Sequence, residues 1–198
     1  MNPLFEMVQS VDSSVILWIF QSGGNLYLDQ TAIFFHWAGI FRIPAILLGI
    51  FLWLKKETRP IAIILLTAVL ASMIVTFLIK ELVHRPRPYI MLGLTAADML
   101  VQTSPTVSFP SGHTATAFTT ATVISYFFRK WIVPALTLAL MAGLARIYLI
   151  VHYPSDMVAG ACVGILVALT VIYVAQKLQE NEKFAFLKPD LKKDGNEI

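Results

Sequence analysis

Cysteine is nearly absent from this chain, with Cys162 alone among 198 residues. A single thiol closes no disulfide framework and cannot by itself build a thiolate metal site. Its position inside an apolar run reads as that of a small buried residue. Charge is scarce as well, at 14% of residues where a soluble domain carries about 25%. Hydrophobic residues make up 57% and the mean hydropathy is +0.72, which excludes a soluble domain wrapped round one core. Met1 to Phe20 hold no Lys or Arg and no clear small-residue cleavage site follows, so no cleavable signal peptide is expected and the first helices serve as their own insertion signals. Long polar connections are few. Lys55 to Pro60 and Arg129 to Trp131 leave no room for a second domain, so residues 1–198 read as one membrane domain with a tail from about 177 to 198.

What the chain does have is long apolar runs. A spanning helix needs about 20 apolar residues, and five stretches qualify, roughly 31–54, 61–83, 112–128, 132–150 and 157–176. The expected fold is all-α, a polytopic transmembrane helical bundle. Residues 3–20 add a short span or an interfacial helix, making six helices in all: Glu6, Gln9, Ser10 and Ser13 share one helical face, and Leu4, Val8, Val11, Val15 and Trp18 another.

Ten of the fifteen Lys and Arg residues fall on one side if the spans alternate: Lys55, Lys56, Arg59, Arg129, Lys130, Lys177, Lys183, Lys188, Lys192 and Lys193. An excess of Lys and Arg marks the cytoplasmic side of a plasma-membrane protein. Lys80, Arg85, Arg87 and Arg146 then gather at the opposite face, where topology does not require cations and an anion would explain them. Arg42 lies inside the first long run, where it must snorkel or find a partner. Nothing indicates a nucleic-acid partner.

Three polar clusters sit at that opposite face. In Lys80 to Pro88, Pro86 forces Arg85 out of helical geometry and leaves Arg87 on an extended segment. A Lys point charge and an Arg fork suit phosphate oxygens, although such a cluster also suits snorkelling toward lipid headgroups. In Pro110 to His113, Ser111 is a good N-cap and Gly112 lets backbone approach a ligand. The helix start is then an anion site, with His113 in its first turn; an ordinary capped helix would look the same. In Arg146 to Asp156, Pro154 can open the last span and Asp156 can reach back to His152. A carboxylate on one imidazole nitrogen fixes the tautomer and sharpens the other as a nucleophile, whereas Asp156 could also simply complement the helix N-terminus. His152 is expected at the outer surface rather than in the packed interior. Three nearby cations oppose a divalent ion, so no metal is expected. Together the clusters describe a phosphoryl-transfer site that works by positioning and charge neutralisation.

These clusters resemble the three signature motifs of the type 2 phosphatidic acid phosphatase superfamily, K-x6-R-P, P-S-G-H and S-R-x5-H-x3-D. They stand here as Lys80 with Arg87 and Pro88, Pro110 to His113, and Arg146 with His152 and Asp156. Ala145 departs from the pattern, since the family usually has Ser there; affinity or rate is expected to change, not the chemistry. The resemblance implies that His152 forms a phosphohistidine, that Asp156 orients it and that His113 protonates the departing lipid oxygen. It further implies that Lys80, Arg87, Ser111, Gly112 and Arg146 hold the phosphate oxygens, that no cofactor is needed, and that a membrane lipid enters laterally between helices. A small chain with short loops looks like a bacterial member acting on phosphatidylglycerol phosphate or undecaprenyl diphosphate. Phosphatidic acid, transfer to an acceptor other than water, and non-catalytic binding of anionic lipid remain open alternatives.

Overall fold

A computed structural model of the chain describes residues 3–38, 42–95, 97–102 and 107–189, with the side chains of Ala38 and Arg42 excepted. The partner sought for Arg42, and Lys192 and Lys193 of the tail, lie outside the described residues.

Helix dominates because apolar runs in lipid must satisfy their backbone internally, and no strand occurs among the described residues. The helices are α1 (Pro3–Gln21), α2 (Leu26–Ala38), α3 (Arg42–Trp53), α4 (Arg59–Val83), α5 (Pro88–Met91), α6 (Gly112–Phe127), α7 (Ile132–Tyr148) and α8 (Pro154–Gln179). Short 3-10 turns follow α3, α6 and α8. Three helical stretches, Lys56–Met91, Arg129–Tyr148 and Pro154–Gln179, are long and apolar enough to cross a membrane. The run at 31–54, expected as one span, is instead two helices, α2 and α3. Pro44 falls in the first turn of α3, the place in a helix where a missing N–H costs least.

α1 is helical as expected, but it turns Asp12 inward with Gln9 and Ser13 half-buried, while Glu6 and Ser10 of the expected polar face stay exposed. Asp12 and Ile16 are its buried residues, while Leu4, Phe5, Met7, Val11 and Trp18 are exposed. The polar seam faces protein and the apolar side faces outward, the arrangement a lipid surrounding favours. α1 meets α7 and α8 only where those helices approach the motifs: Ile16 packs with Ile147, Tyr153 and Met157.

The bundle has two distinct ends. At one, the last turns of α3, α6 and α8 meet the first turns of α4 around Leu52, Ile61, Leu65, Val123, Ile172 and Ala175. The basic residues at 55–59, 129–130 and 177 flank this end. At the other end, the end of α4, the start of α6, the end of α7 and the start of α8 come together and carry the three motifs between them.

α6 and α8 are held at backbone contact by Gly160 and Gly164. A Cβ on Gly160 would stand 2.5 Å from the Ser111 carbonyl oxygen, and one on Gly164 would stand 2.3 Å from that of Ala115. Thr119 adds a hydrogen bond from its hydroxyl to the Gly164 carbonyl at 3.2 Å. The Ala- and Thr-rich start of α6 thus serves close packing, as its composition predicts. Cys162 lies two residues from each glycine, on the other side of α8, and is exposed. Its expected burial is therefore corrected: the buried face of α8 belongs to the glycines.

Candidate active site

The first motif is shaped by the way α4 stops. His84 caps the helix in the left-handed region with φ 48°, its N–H donating to the Lys80 carbonyl at 3.1 Å. The chain then runs extended to Arg87, as Pro86 and Pro88 dictate. The loop before α6 is laced to this segment: the Ser108 N–H donates to the Arg85 carbonyl at 2.7 Å, and Nζ of Lys80 donates to the Val107 carbonyl at 2.7 Å. Lys80 is half-buried, and its ammonium has three N–H donors to distribute.

The second motif is an N-cap. Oγ of Ser111 accepts from the Thr114 N–H at 3.4 Å and from the Thr114 hydroxyl at 2.9 Å. The Ser111 N–H donates to the Asp156 carbonyl at 3.0 Å, which ties the start of α6 to the start of α8. Gly112 and His113 are the first two residues of α6, both half-buried. Among the described residues, a Cβ on Gly112 would meet only Thr76, at 3.5 Å.

The third motif is folded back on itself. Past α7, the N–H groups of Val151 and His152 both donate to the Arg146 carbonyl at 3.2 Å, and this fold-back brings His152 beside Arg146. Pro154 opens α8, and Asp156 completes a capping box by accepting from the Tyr153 N–H at 2.9 Å. Nδ1 of His152 stands 3.4 Å from Oδ2 of Asp156, within electrostatic contact but off the line of a hydrogen bond. Nε2 of His152 faces Nη1 of Arg87 at 3.5 Å.

The eight residues singled out by sequence thus belong to segments that meet at one end. The expectation that His152 lies at the outer surface is corrected, because it is 2% exposed, and Arg87, Arg146 and Asp156 are buried with it. Their chain segments are folded inward, beneath the Ser108 loop and between helix ends. Burial first, then the positive charges of Arg87, Arg146 and Lys80, hold the His152 imidazolium well below its ordinary pKa, so the ring is neutral. A neutral imidazole has a lone pair to offer, and three cations around it suit an anion.

Sequence reasoning missed several supporting residues. Nη1 of Arg146 donates to Nδ1 of His36 at 2.6 Å, so His36 is neutral with its proton on Nε2; Nε of Arg146 has no partner among the described residues. Arg85, assigned only to the cationic face, is bound to Asp156, Asp12, Gln9 and Ser155. The signal that could have found His36 and Asp12 is an ionisable residue part-way along a mostly apolar helix. The glycine pair was legible as the small-xxx-small pattern at 160 and 164.

Comparison with known proteins decides the family. The profile described as the PAP2 superfamily matches residues 61–180, more than half of the chain. The chain belongs to the PAP2 superfamily. The bacitracin transport permease protein BcrC of Bacillus licheniformis is 34% identical over 131 residues, covering 64% of this chain and 62% of that protein. The undecaprenyl-diphosphatase BcrC of Bacillus subtilis is 27% identical, covering 72% of both chains. Among solved structures, the PAP2-type phosphatidylglycerolphosphate phosphatase of B. subtilis superposes with a TM-score of 0.70 at 22% identity, over 87% of this chain and 88% of that one. Aquifex aeolicus LpxE does so with a TM-score of 0.66 at 30% identity, over 81% and 93% respectively. This PAP2 chain is a multi-pass membrane protein of the phosphatase type.

Proposed function

We propose that the protein removes the terminal phosphate of undecaprenyl diphosphate or phosphatidylglycerol phosphate through a phosphohistidine, without a metal and on the non-cytoplasmic side of the cell membrane. The observation that carries this reading is the placement of His152, with Nε2 turned toward Arg87 and Nδ1 toward Asp156. In the first step Nε2 bonds to phosphorus, the bond from phosphorus to the lipid oxygen breaks, and His113 gives that oxygen its proton. Asp156 balances the positive charge that forms on the ring. Lys80, Arg87, Arg146, the Ser111 cap and the Gly112 N–H neutralise the phosphoryl oxygens, the electrostatic stabilisation such a transition state requires. In the second step water attacks phosphorus, His113 takes its proton, and the phosphorus–nitrogen bond breaks to release inorganic phosphate and neutral His152.

The lipid character of the substrate is supported by an apolar cavity of about 510 Å³ between α3, α6 and α7, lined among others by Pro44, Leu48, Ala117, Ala121 and Leu138. Ala117 lies one helical turn below His113, so a hydrocarbon chain in this cavity would leave its phosphate near the motifs. The similar B. subtilis proteins named undecaprenyl-diphosphatase and phosphatidylglycerophosphatase B support the two substrates named. A transport reading is favoured by the B. licheniformis relative's name. Transport explains the cations but gives no role to a buried, neutral His152 beside a carboxylate. The decisive experiment is a turnover panel of undecaprenyl diphosphate, phosphatidylglycerol phosphate and phosphatidic acid with purified protein in detergent. Steady phosphate release from one of the first two is expected; binding of all three without release would overturn the enzyme reading.

A further inference from the structure

We infer that Arg85 and Asp12 are a positioning pair that aims the Asp156 carboxylate at His152, which makes α1 a working part of the active site. The inference rests on the role given to His152 above. Arg85 belongs by sequence to the cationic face, yet it is not disposed to hold phosphate. Its Nη1 donates to Oγ of Ser155 at 2.7 Å and to Oδ1 of Asp156 at 2.8 Å. Its Nη2 donates to Oε1 of Gln9 and Oδ2 of Asp12, both at 2.7 Å. These four bonds use all the N–H donors on the two terminal nitrogens. The guanidinium also lies over the Tyr153 ring, 3.9 Å from its centroid.

Asp12 is the counterpart on the other side. It is 1% exposed on a helix whose large apolar side chains mostly face outward. A buried carboxylate is expensive unless paired and hydrogen-bonded, and here both oxygens are used. Oδ1 accepts from the Ser155 N–H at 3.0 Å, while Oδ2 accepts from Arg85 and from the Ser155 hydroxyl. Arg85 and Ser155 therefore dock α1 beside the contact Ile16 makes with Ile147, Tyr153 and Met157.

The consequence for Asp156 has two parts. Its rotation is fixed, because Oδ1 is held by Arg85 and Oδ2 by the Tyr153 N–H, which leaves Oδ2 toward Nδ1 of His152. Its charge is preserved as well. Arg85 alone would cancel the carboxylate just when the ring of His152 turns positive. With Asp12 on its far side, one cation lies between two carboxylates, and a net negative charge remains to face the ring.

The test uses the full chain in detergent, with the most rapidly turned-over lipid of the panel. Asp12→Asn keeps the shape and removes the charge; Arg85→Lys keeps the charge and removes the fork. Each is expected to lower kcat by about 10- to 100-fold while KM changes less than about twofold, since the phosphate cradle is untouched. Asp12→Asn added to Asp156→Asn should cost nothing further, because Asp12 acts through Asp156. Ser155→Ala, which removes one hydroxyl and no charge, is the milder variant if the others fold poorly; a kcat loss of about threefold at constant KM is expected. Folded variants with kcat within twofold of wild type, or with KM altered as much as kcat, would overturn the pair. An active His152→Ala would instead overturn the parent reading, whatever these variants show.

Discussion

Nδ1 of His152 and Oδ2 of Asp156 face each other across 3.4 Å, one turn apart around Pro154. The contact is long for a hydrogen bond, and catalytic pairs of this kind commonly tighten only when the reacting anion is bound. Replacing His152 by Ala should reduce turnover to background while the protein still elutes as a folded species. Asp156→Asn should leave weak activity and also lower stability by about 1–3 kcal/mol, because the carboxylate serves Arg85 and the Tyr153 N–H as well as the ring. Phosphate release and thermal melting measured on the same samples separate the two effects; substantial activity in His152→Ala removes it as nucleophile.

The protonation of His152 gives a stability prediction with a definite sign. Its folded pKa is depressed well below 6.5, so the folded protein does not take up the proton that the unfolded chain takes up there. Stability is unaffected by this group above pH 6.5 and falls below it, at about 1.4 kcal/mol per pH unit for one proton. Relative to His152→Gln, the wild-type melting temperature should drop between pH 7 and pH 5 and hold constant above pH 7. A difference that does not change with pH would show that the ring is not buried neutral.

Gly160 and Gly164 should tolerate no side chain. Alanine at 164 would place Cβ 2.3 Å from the Ala115 carbonyl and 3.0 Å from the Thr119 nitrogen, so α6 and α8 must separate. A destabilisation of about 1–3 kcal/mol is expected for each glycine, as for other overpacked contacts. Gly160→Ala also displaces Ser111 and should raise KM. Normal melting of both variants would refute the close approach.

Vanadate should inhibit, since it adopts the five-coordinate geometry of phosphoryl transfer and would sit among Lys80, Arg87 and Arg146. EDTA should not. Activity lost to EDTA and restored by a divalent ion would favour a metal-dependent mechanism.

Sidedness can be checked without knowing the substrate. In a Cys162→Ser background, a cysteine replacing the exposed Ala97 should react with an impermeant maleimide in intact cells. One replacing the exposed Lys130 should react only after permeabilisation. The reverse pattern would place the motifs in the cytoplasm and shift the preferred substrate toward newly made phospholipid, leaving the chemistry intact.

Much of this architecture was legible because lipid leaves few choices. Apolar run lengths place the long helices, and Pro86 and Pro154 mark where two of them end or begin. Local signals stop at the helix ends, so periodicity could not show that the run at 31–54 breaks in two. Nor could it show that the polar seam of α1 turns inward to Arg85. The motif residues were readable because their chemistry is carried by spacing. The roles of Asp12 and His36 depend on helices far away in sequence, and only their awkward charge in apolar surroundings pointed to them. The burial of His152 depends likewise on the Ser108 loop, about 44 residues upstream.

On the function proposed above, the shortness of α6 would set the depth of the reaction. Its 16 residues rise about 24 Å, where the hydrocarbon of a bilayer is about 30 Å thick. With Arg129 and Lys130 anchored at one headgroup layer, the first turn of α6 stops about 6 Å short of the other. Ser111, Gly112 and His113 would then lie below the plane of the neighbouring phosphates. A lipid would reach them by sinking its head into the protein, not by being lifted out of the membrane. Soluble phosphate esters, which lack a tail to draw them down, would stay in the water above.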